Sequence, residues 1–547
     1  MNLPFLNAAS PINLAFILTL WINVLLADQF PFEPPQNFTL SPKYIKLHHP
    51  VTAKTIAAQL YFDQGLTLIY AFNHDAAYWS FLRASQEDPK MPMAYWGMAL
   101  ALGTNINMAI TPERAKVAFD AVQKAETLAS NATESERDYI HALSLRYPSA
   151  SQADPKKSAL QYSQAMRKLS DKYPEDLDAG VLFAESLMDL NPWSQWSLDG
   201  KPLEGTLEAV EKLESVLKKD PGNLGANHYY IHVVEASLHP EYALICAERL
   251  SSMLPASGHI LHMPSHIYIL VGDYHKAALA NEEAVAADRE YIREYGIEGI
   301  YPVHYLTHNL YFLSRAYAMG GCFSSAKRAA EDLAAFYAPH FKHMPELEYY
   351  ACSPAFVLLR FHQWKEILAL PEPSNDMQLV HILWHFHRAA AFASLGDLAK
   401  ADEERKLFLA EKAKAPSDLM FGYNKADKIL KIAEYFLDSK LSEGSKAIDF
   451  LRKAVSEQDT LRYNEPPDWS FPIREALGGA LLRLKRYEEA AAVFREDLEK
   501  HPRNGRSLFG LKETLSAQSK VHDLFWVDKE FQQAWLYSDT NLTINDL

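Results

Sequence analysis

Four pairs of histidines stand four residues apart in this chain: His228/His232, His262/His266, His304/His308 and His381/His385. With 21 histidines in 547 residues, chance gives about 0.8 such pairs. On a helix that spacing puts both rings on one face. The first two pairs are offset by one length in both members, from 228 to 262 and from 232 to 266, so successive helices of one kind would present equivalent rings.

Rings so placed have a metal chemistry. Neighbouring helix axes lie roughly 8 to 10 Å apart, and imidazoles from both can meet between them at metal–nitrogen distances of about 2.0 Å. The expectation is that His228, His232, His262 and His266 converge on a shared ion. The donor type suits zinc, copper or iron, and the lack of thiolate disfavours a purely cuprous site. Glu235, three residues beyond His232, is a candidate carboxylate, as are Glu185 and Asp189 one repeat earlier. If His304 and His308 also turn inward, six imidazoles suffice for two ions, and a redox or hydrolytic centre becomes conceivable. The competing reading is a helical groove whose histidines bind a peptide or hydrogen-bond one another. Pro264 lacks an N–H and belongs in a first helical turn, which sets His262 before the helix proper. His381/His385 reads as packing.

Other candidates are less specific. Asn105 and Asn107, after Gly103 and Thr104, either shape a helix end facing the groove or bind a ligand. Tyr311 and Arg315 follow His308 at helical spacing and join the ligand candidates. Trp193 and Trp196 either pack an enlarged loop or line an apolar cleft.

Such rings need helices to hold them, and beyond residue 50 the chain reads as helices throughout. Ala-, Leu-, Glu- and Lys-rich runs of 3.6-residue period alternate with breaks such as Asp220-Pro221-Gly222 and His501-Pro502-Arg503, and no strand alternation appears. The 34-residue tetratricopeptide pattern recurs: Tyr61, Gly65, Ala77, Phe81, Ala84 and Pro89 match it, as do Leu477, Tyr487, Ala490, Phe494 and Pro502. The expected fold is all-α, a right-handed superhelical solenoid of nine or ten helix pairs over 51–522, with a capping helix in 523–547. Its concave groove would be lined by the first helix of each pair.

The strings FDQGL (62–66), FNH (72–74), AYWGMALALGTNIN (94–107), GANHYYIHVVEAS (225–237), GHILHMPSHIYILVGDY (258–274), HNLYFL (308–313), EPPDWSFPIREALGGALL (465–482) and RSLFGL (506–511) resemble those of a largely bacterial family of tetratricopeptide-repeat proteins. The resemblance implies the helical solenoid and supplies no activity. Cysteines often precede the YWG string in such relatives, whereas Met91 and Ala94 stand there in this chain.

Composition closes several routes. Lys plus Arg is 54 against 69 Asp plus Glu, a formal charge of -15, and no basic, aromatic-interleaved block suggests a nucleic-acid partner. Cys246, Cys322 and Cys352 permit one disulfide at most and no cysteine-based zinc site. No phosphate-binding glycine loop, nucleophile elbow or His-Glu-x-x-His motif is present.

The apolar run Ile12–Ala27 is shorter than the roughly 20 residues of a membrane span and reads as the core of an export signal over 1–27. That implies an exported chain, with an uncleaved membrane anchor as the alternative and the only expected membrane contact. Residues 28–50, rich in Pro and Phe, read as an extended linker. Two functions remain: a scaffold holding a protein segment or small ligand in a His-rich groove, or a metal-binding protein or metalloenzyme.

Overall fold

The computed structural model describes residues 32–149, 151, 154–299, 301–374 and 376–547, so the expected export signal lies outside the described residues. The chain is all-α, a right-handed superhelical solenoid of helical hairpins. The described strand content is one small turn, Met420–Phe421 paired with Asn424–Lys425.

Local chemistry sets each hairpin. Thr55, Asn73, Asp176, Asn223, Ser257 and Asp273 each precede a helix and accept a hydrogen bond from its first turn, satisfying a donor that has no intrahelical acceptor. Small residues then let helices close up. A Cβ added at Gly65 or Gly97 would lie 2.7 or 2.3 Å from the Phe81 ring, and Gly478 and Gly510 flank Phe494 at 2.5 and 2.2 Å. One aromatic therefore seats between glycines of two successive first helices, which stacks each hairpin on the next.

Among the described residues the hairpins number twelve rather than nine or ten. The excess comes from short pairs such as Ser353–Arg360 with Trp364–Ala369, whose helices are too brief for a 34-residue match. The first pair is Ile56–Tyr70 with His74–Glu87, and the fourth Leu177–Met188 with Thr206–Lys219. The fifth is Leu224–Val234 with Leu244–Met253. The sixth is Gly258–His262, continued by Pro264–Leu270, with Tyr274–Tyr295. The seventh is Thr307–Met319 with Phe323–Tyr337. The last two are Ile473–Arg483 with Tyr487–Lys500, and Gly505–Ala517 with Val521–Ala534. The expected cap from Asp523 thus falls inside the second helix of the twelfth hairpin.

The superhelix turns back on itself. A Cβ at Gly225 would touch the Tyr70 ring at 2.8 Å, joining the fifth hairpin to the first. A Cβ at Gly272 would meet the carbonyl oxygen of Pro502 at 2.0 Å, and the Tyr274 hydroxyl donates to that same oxygen, joining the sixth to the eleventh–twelfth turn. Residues 32–50 are packed against this closure: Phe38 is buried, edge-on to Trp79, and the Tyr44 hydroxyl donates to the Ala256 carbonyl. The inner wall of the fifth and sixth hairpins is consequently covered from both sides instead of lining an open groove.

Candidate metal centre

Three histidines meet from the fifth hairpin and the start of the sixth: one ring nitrogen each of His228, His232 and His259 lies within 4.8 Å of the others. A second trio, His262, His266 and His308, gathers in the same way from the sixth and seventh hairpins. The four rings of the two spaced pairs therefore do not meet at one point as expected, but belong to two clusters. Each pair keeps its own point of convergence and recruits a third ring from the next segment. Within the first trio, His228 Nε2 and His259 Nε2 are 3.0 Å apart. Within the second, His262 Nε2 and His266 Nε2 are 2.8 Å apart. Met263 keeps helical angles (φ -52, ψ -37), so the chain passes from His262 into the Pro264 helix without losing the shared face. Pro264 sits in the first turn, where its missing N–H costs nothing.

Burial decides the charge of these rings. It pushes His228 and His266 down to about 3 and His232 to about 4, and holds His259, His262 and His308 well below the usual imidazole range. At neutral pH all six are uncharged, the form that ligates metal.

The hydrogen bonds decide which nitrogen carries the lone pair. His228 Nδ1 donates to the Tyr70 carbonyl at 2.7 Å. His262 Nδ1 donates to Asn281 Oδ1 at 2.7 Å, and the orientation of that amide is set because its nitrogen donates to the Ala277 carbonyl. Glu235 accepts from His232 Nδ1 at 2.9 Å on one oxygen and from His266 Nδ1 on the other. With these N–H groups committed, the Nε2 atoms of His228, His232, His262 and His266 are lone-pair donors facing inward. His232 Nε2 is buried without a partner. Glu235 is thus an outer carboxylate that orients one ring of each trio, and the Tyr463 hydroxyl gives it a third donor at 3.3 Å. Burial raises its pKa, while the bonds from His232 and Tyr463 act the other way.

The trios adjoin. The rings of His232 and His266 are 5.8 Å apart between centroids, and those of His259 and His262 6.1 Å. One phenylalanine floors each trio: Phe72 stacks on His232 and His259, and Phe312 lies 4.8 Å from both His262 and His266. Phe72 takes a left-handed φ of 53° at a turn position where later hairpins place Gly272, Gly321 and Gly396, and others His362 and Lys485. Trp193, edge-on to His232, is likewise left-handed at 55°. Bulky side chains rarely occupy that region, and both do so against one imidazole.

The remaining candidates go elsewhere. His304 is half-buried, its pKa pushed down by desolvation to about 4, in the turn Pro302–Leu306 before His308, and is in neither trio. Glu185 and Asp189 share a buried cluster with Arg146, which pairs with Asp189 at 2.9 Å. Asn105 closes a tight turn, its side chain accepting from the Asn107 N–H. Arg315 donates to the carbonyls of Pro467 and Trp469, with Tyr311 beneath its guanidinium, so both hold the 465–472 segment. Trp196 donates to the Val233 carbonyl, and His385 pairs with Glu404. The three cysteines are free. A third grouping, His49 with Asp176 and Asp178, is tied up by the Tyr70 and Tyr139 hydroxyls and a helix cap.

Residue spacing missed His259, Phe72, Phe312 and Tyr463. A signal existed for the first, since His259, His262 and His266 follow helical intervals of three and four. His259 stands three residues before His262, outside the four-residue spacing that marks the pairs. Phe312 stands one helical turn after His308, whereas Phe72 and Tyr463 are brought in by the superhelix.

No protein-family model matches this chain, and no curated protein matches it. Among solved structures it is similar to the human IFIT1 dimer with m7Gppp-AAAA, at 12% identity over 82% of this chain and 90% of that one, with a TM-score of 0.32. It is also similar to yeast Tom70, at 11% identity over 88% and 93%, with a TM-score of 0.26. A third is the TPR domain of P58(IPK), at 12% identity over 85% and 99%, with a TM-score of 0.22. At these values the likeness bears on no residue and no activity.

Proposed function

We propose that this helical-repeat protein is a metalloprotein holding two adjacent transition-metal ions, one on His228, His232 and His259 and one on His262, His266 and His308. The observation that carries the reading is the pair His262 and His266. Their Nδ1–H groups are both committed, so two lone pairs face each other across 2.8 Å in a buried site, an arrangement that a cation between them relieves. An all-imidazole donor set with no carboxylate or thiolate favours copper or zinc over iron. Three ligands per ion leave a position open on each for a water or a substrate atom, so the expected class is a redox or hydrolytic enzyme acting on a small molecule.

On this reading the solenoid is the scaffold, and the ligand of the centre is small because the rings are enclosed. A protein segment, if bound, docks outside the centre, and the net negative charge argues against nucleic acid. The chain is an exported protein on the strength of Ile12–Ala27. Among the described residues no helix is long and apolar enough to cross a membrane. The likeness of its strings to the bacterial repeat family belongs to the same proposal.

Metal titration of chelator-treated protein tests it. Two equivalents of copper or zinc bound per chain is the expected result, and protein that binds neither above background overturns the reading.

A further inference from the structure

A second site-like feature lies outside both histidine trios, where the eighth hairpin, Ser353–Arg360 with Trp364–Ala369, meets the tenth, Ala426–Lys440 with Gly444–Gln458, and the eleventh and twelfth. A partly open cavity of about 260 Å³ lies there, with Leu359, Phe436, Leu451 and Phe471 among its apolar walls. Four cations also face it: Arg360, Lys440, Arg483 and Arg506.

The carboxylates that line it are already engaged. Glu475 takes both of its oxygens to Arg360 Nη1, at 3.1 and 3.2 Å. Asp546 accepts from the Thr543 N–H and hydroxyl and pairs with His362 at 3.4 Å. Arg506 reaches only the carbonyl oxygens of Asp546 and Arg360, while the exposed Arg483 reaches the Ile544 carbonyl and a terminal oxygen of Leu547. Lys440 has no carboxylate within ion-pair distance among the described residues and rests on the faces of Trp364 and Phe436. Arg360 Nη2 and Arg506 Nε, on side chains more than nine-tenths buried, have no hydrogen-bond partner.

A Lys440 without a carboxylate partner and a buried Arg506 whose Nε is unpartnered are costly unless an anion joins them. Burial accordingly drags Lys440 down to about 8 and Arg506 to about 10. Guanidinium forks with an ammonium suit a tetrahedral oxyanion, and the apolar walls suit a carbon body attached to it.

We infer that this cavity binds a small organic dianion of the phosphate-monoester class, with the phosphate among Lys440, Arg483 and Arg506 and the organic group against Phe436 and Leu451.

Calorimetric titration of the full chain at pH 7.5 with phenyl phosphate, and separately with benzoate, tests this. Phenyl phosphate should bind at least 10-fold tighter than benzoate, and Lys440→Met and Arg483→Gln should each weaken it at least 10-fold. Lys446→Gln, an exposed neighbour outside the cavity, should leave it unchanged. Without ligand, Lys440→Met should melt at or above the parent protein, because it removes an unpaired cation, and that readout also certifies its fold. Failure of phenyl phosphate to bind at millimolar concentration, benzoate binding as tightly, or parent-like affinity in both variants would each overturn the inference. None of these outcomes depends on metal at the histidines.

Discussion

His262 and His266 bring their Nε2 atoms to 2.8 Å with no hydrogen left for either to share, because Asn281 and Glu235 have taken the Nδ1 protons. Neutral imidazoles so arranged repel. Two nitrogens bound to one ion at about 2.0 Å and a tetrahedral angle stand about 3.3 Å apart. A few tenths of an ångström of opening therefore convert the contact into a ligand pair.

The two trios should load independently. His232→Ala removes a ring from the first and His308→Ala from the second, and each should lower the bound metal from two equivalents to one by elemental analysis. A variant that loses both ions at once would show that the trios form one inseparable site.

Glu235→Gln should leave the fold intact and weaken metal binding roughly 10- to 100-fold, the usual penalty for losing an outer partner of a ligating histidine. A glutamine offers one acceptor where the carboxylate offered one to His232 and one to His266. Competition against a chelator of known affinity reads the effect, and an unchanged affinity would remove Glu235 from the account.

Phe72 combines a strained backbone with a buried ring. Phe72→Gly relieves roughly 1 kcal/mol of left-handed strain but forfeits about 3 to 5 kcal/mol of ring burial. A net loss of about 2 to 4 kcal/mol is expected in urea unfolding, with weaker metal binding at the first trio. A variant as stable as the parent would mean that the ring contributes little there.

Asp288 makes a pH-dependent contribution opposite in sign to that of the six histidine rings, whose lowered pKa values make stability rise as pH climbs toward the ordinary imidazole range. It is fully buried, accepts from the Tyr301 hydroxyl at 2.8 Å and the Asn309 amide at 2.7 Å, and burial raises its pKa from 3.8 to about 7. A carboxyl whose pKa is raised on folding contributes most below its unfolded value, and that contribution is lost as pH rises through the folded one. Stability should therefore fall between about pH 4 and pH 7 on this group's account, by up to about 4 kcal/mol, and level off above. Asp288→Asn should remove this falling contribution, so that urea midpoints rise more steeply with pH across the range than in the parent. An unaltered slope would assign the dependence to other groups.

The hairpins were legible in the chain because their determinants are local: Gly65 and Phe81 announce a tight helix contact, and Asn223 or Asp273 marks a helix start. The histidine pairs were legible for the same reason, since both rings of His228/His232 or His262/His266 belong to one short stretch. The division into two trios was not, because it depends on how the seventh hairpin carries His308, rather than His304, against the sixth. Nor was the closure that buries them. The contacts of Gly225 with Tyr70 and Gly272 with Pro502 follow from the pitch of the superhelix, a sum of many small rotations that no local pattern encodes. Glu235 is legible as a carboxylate near the rings from its spacing to His232, but its place behind them, not between them, is set by the packing of the fifth hairpin on the sixth.

The most direct test is a crystal of the full chain equilibrated with copper or zinc, with anomalous difference density collected at the metal edge. Two separate peaks are expected, one bounded by His228, His232 and His259 and the other by His262, His266 and His308, with Glu235 touching neither ion. One peak spanning His232 and His266, or no peak among these six rings, would contradict the paired centre.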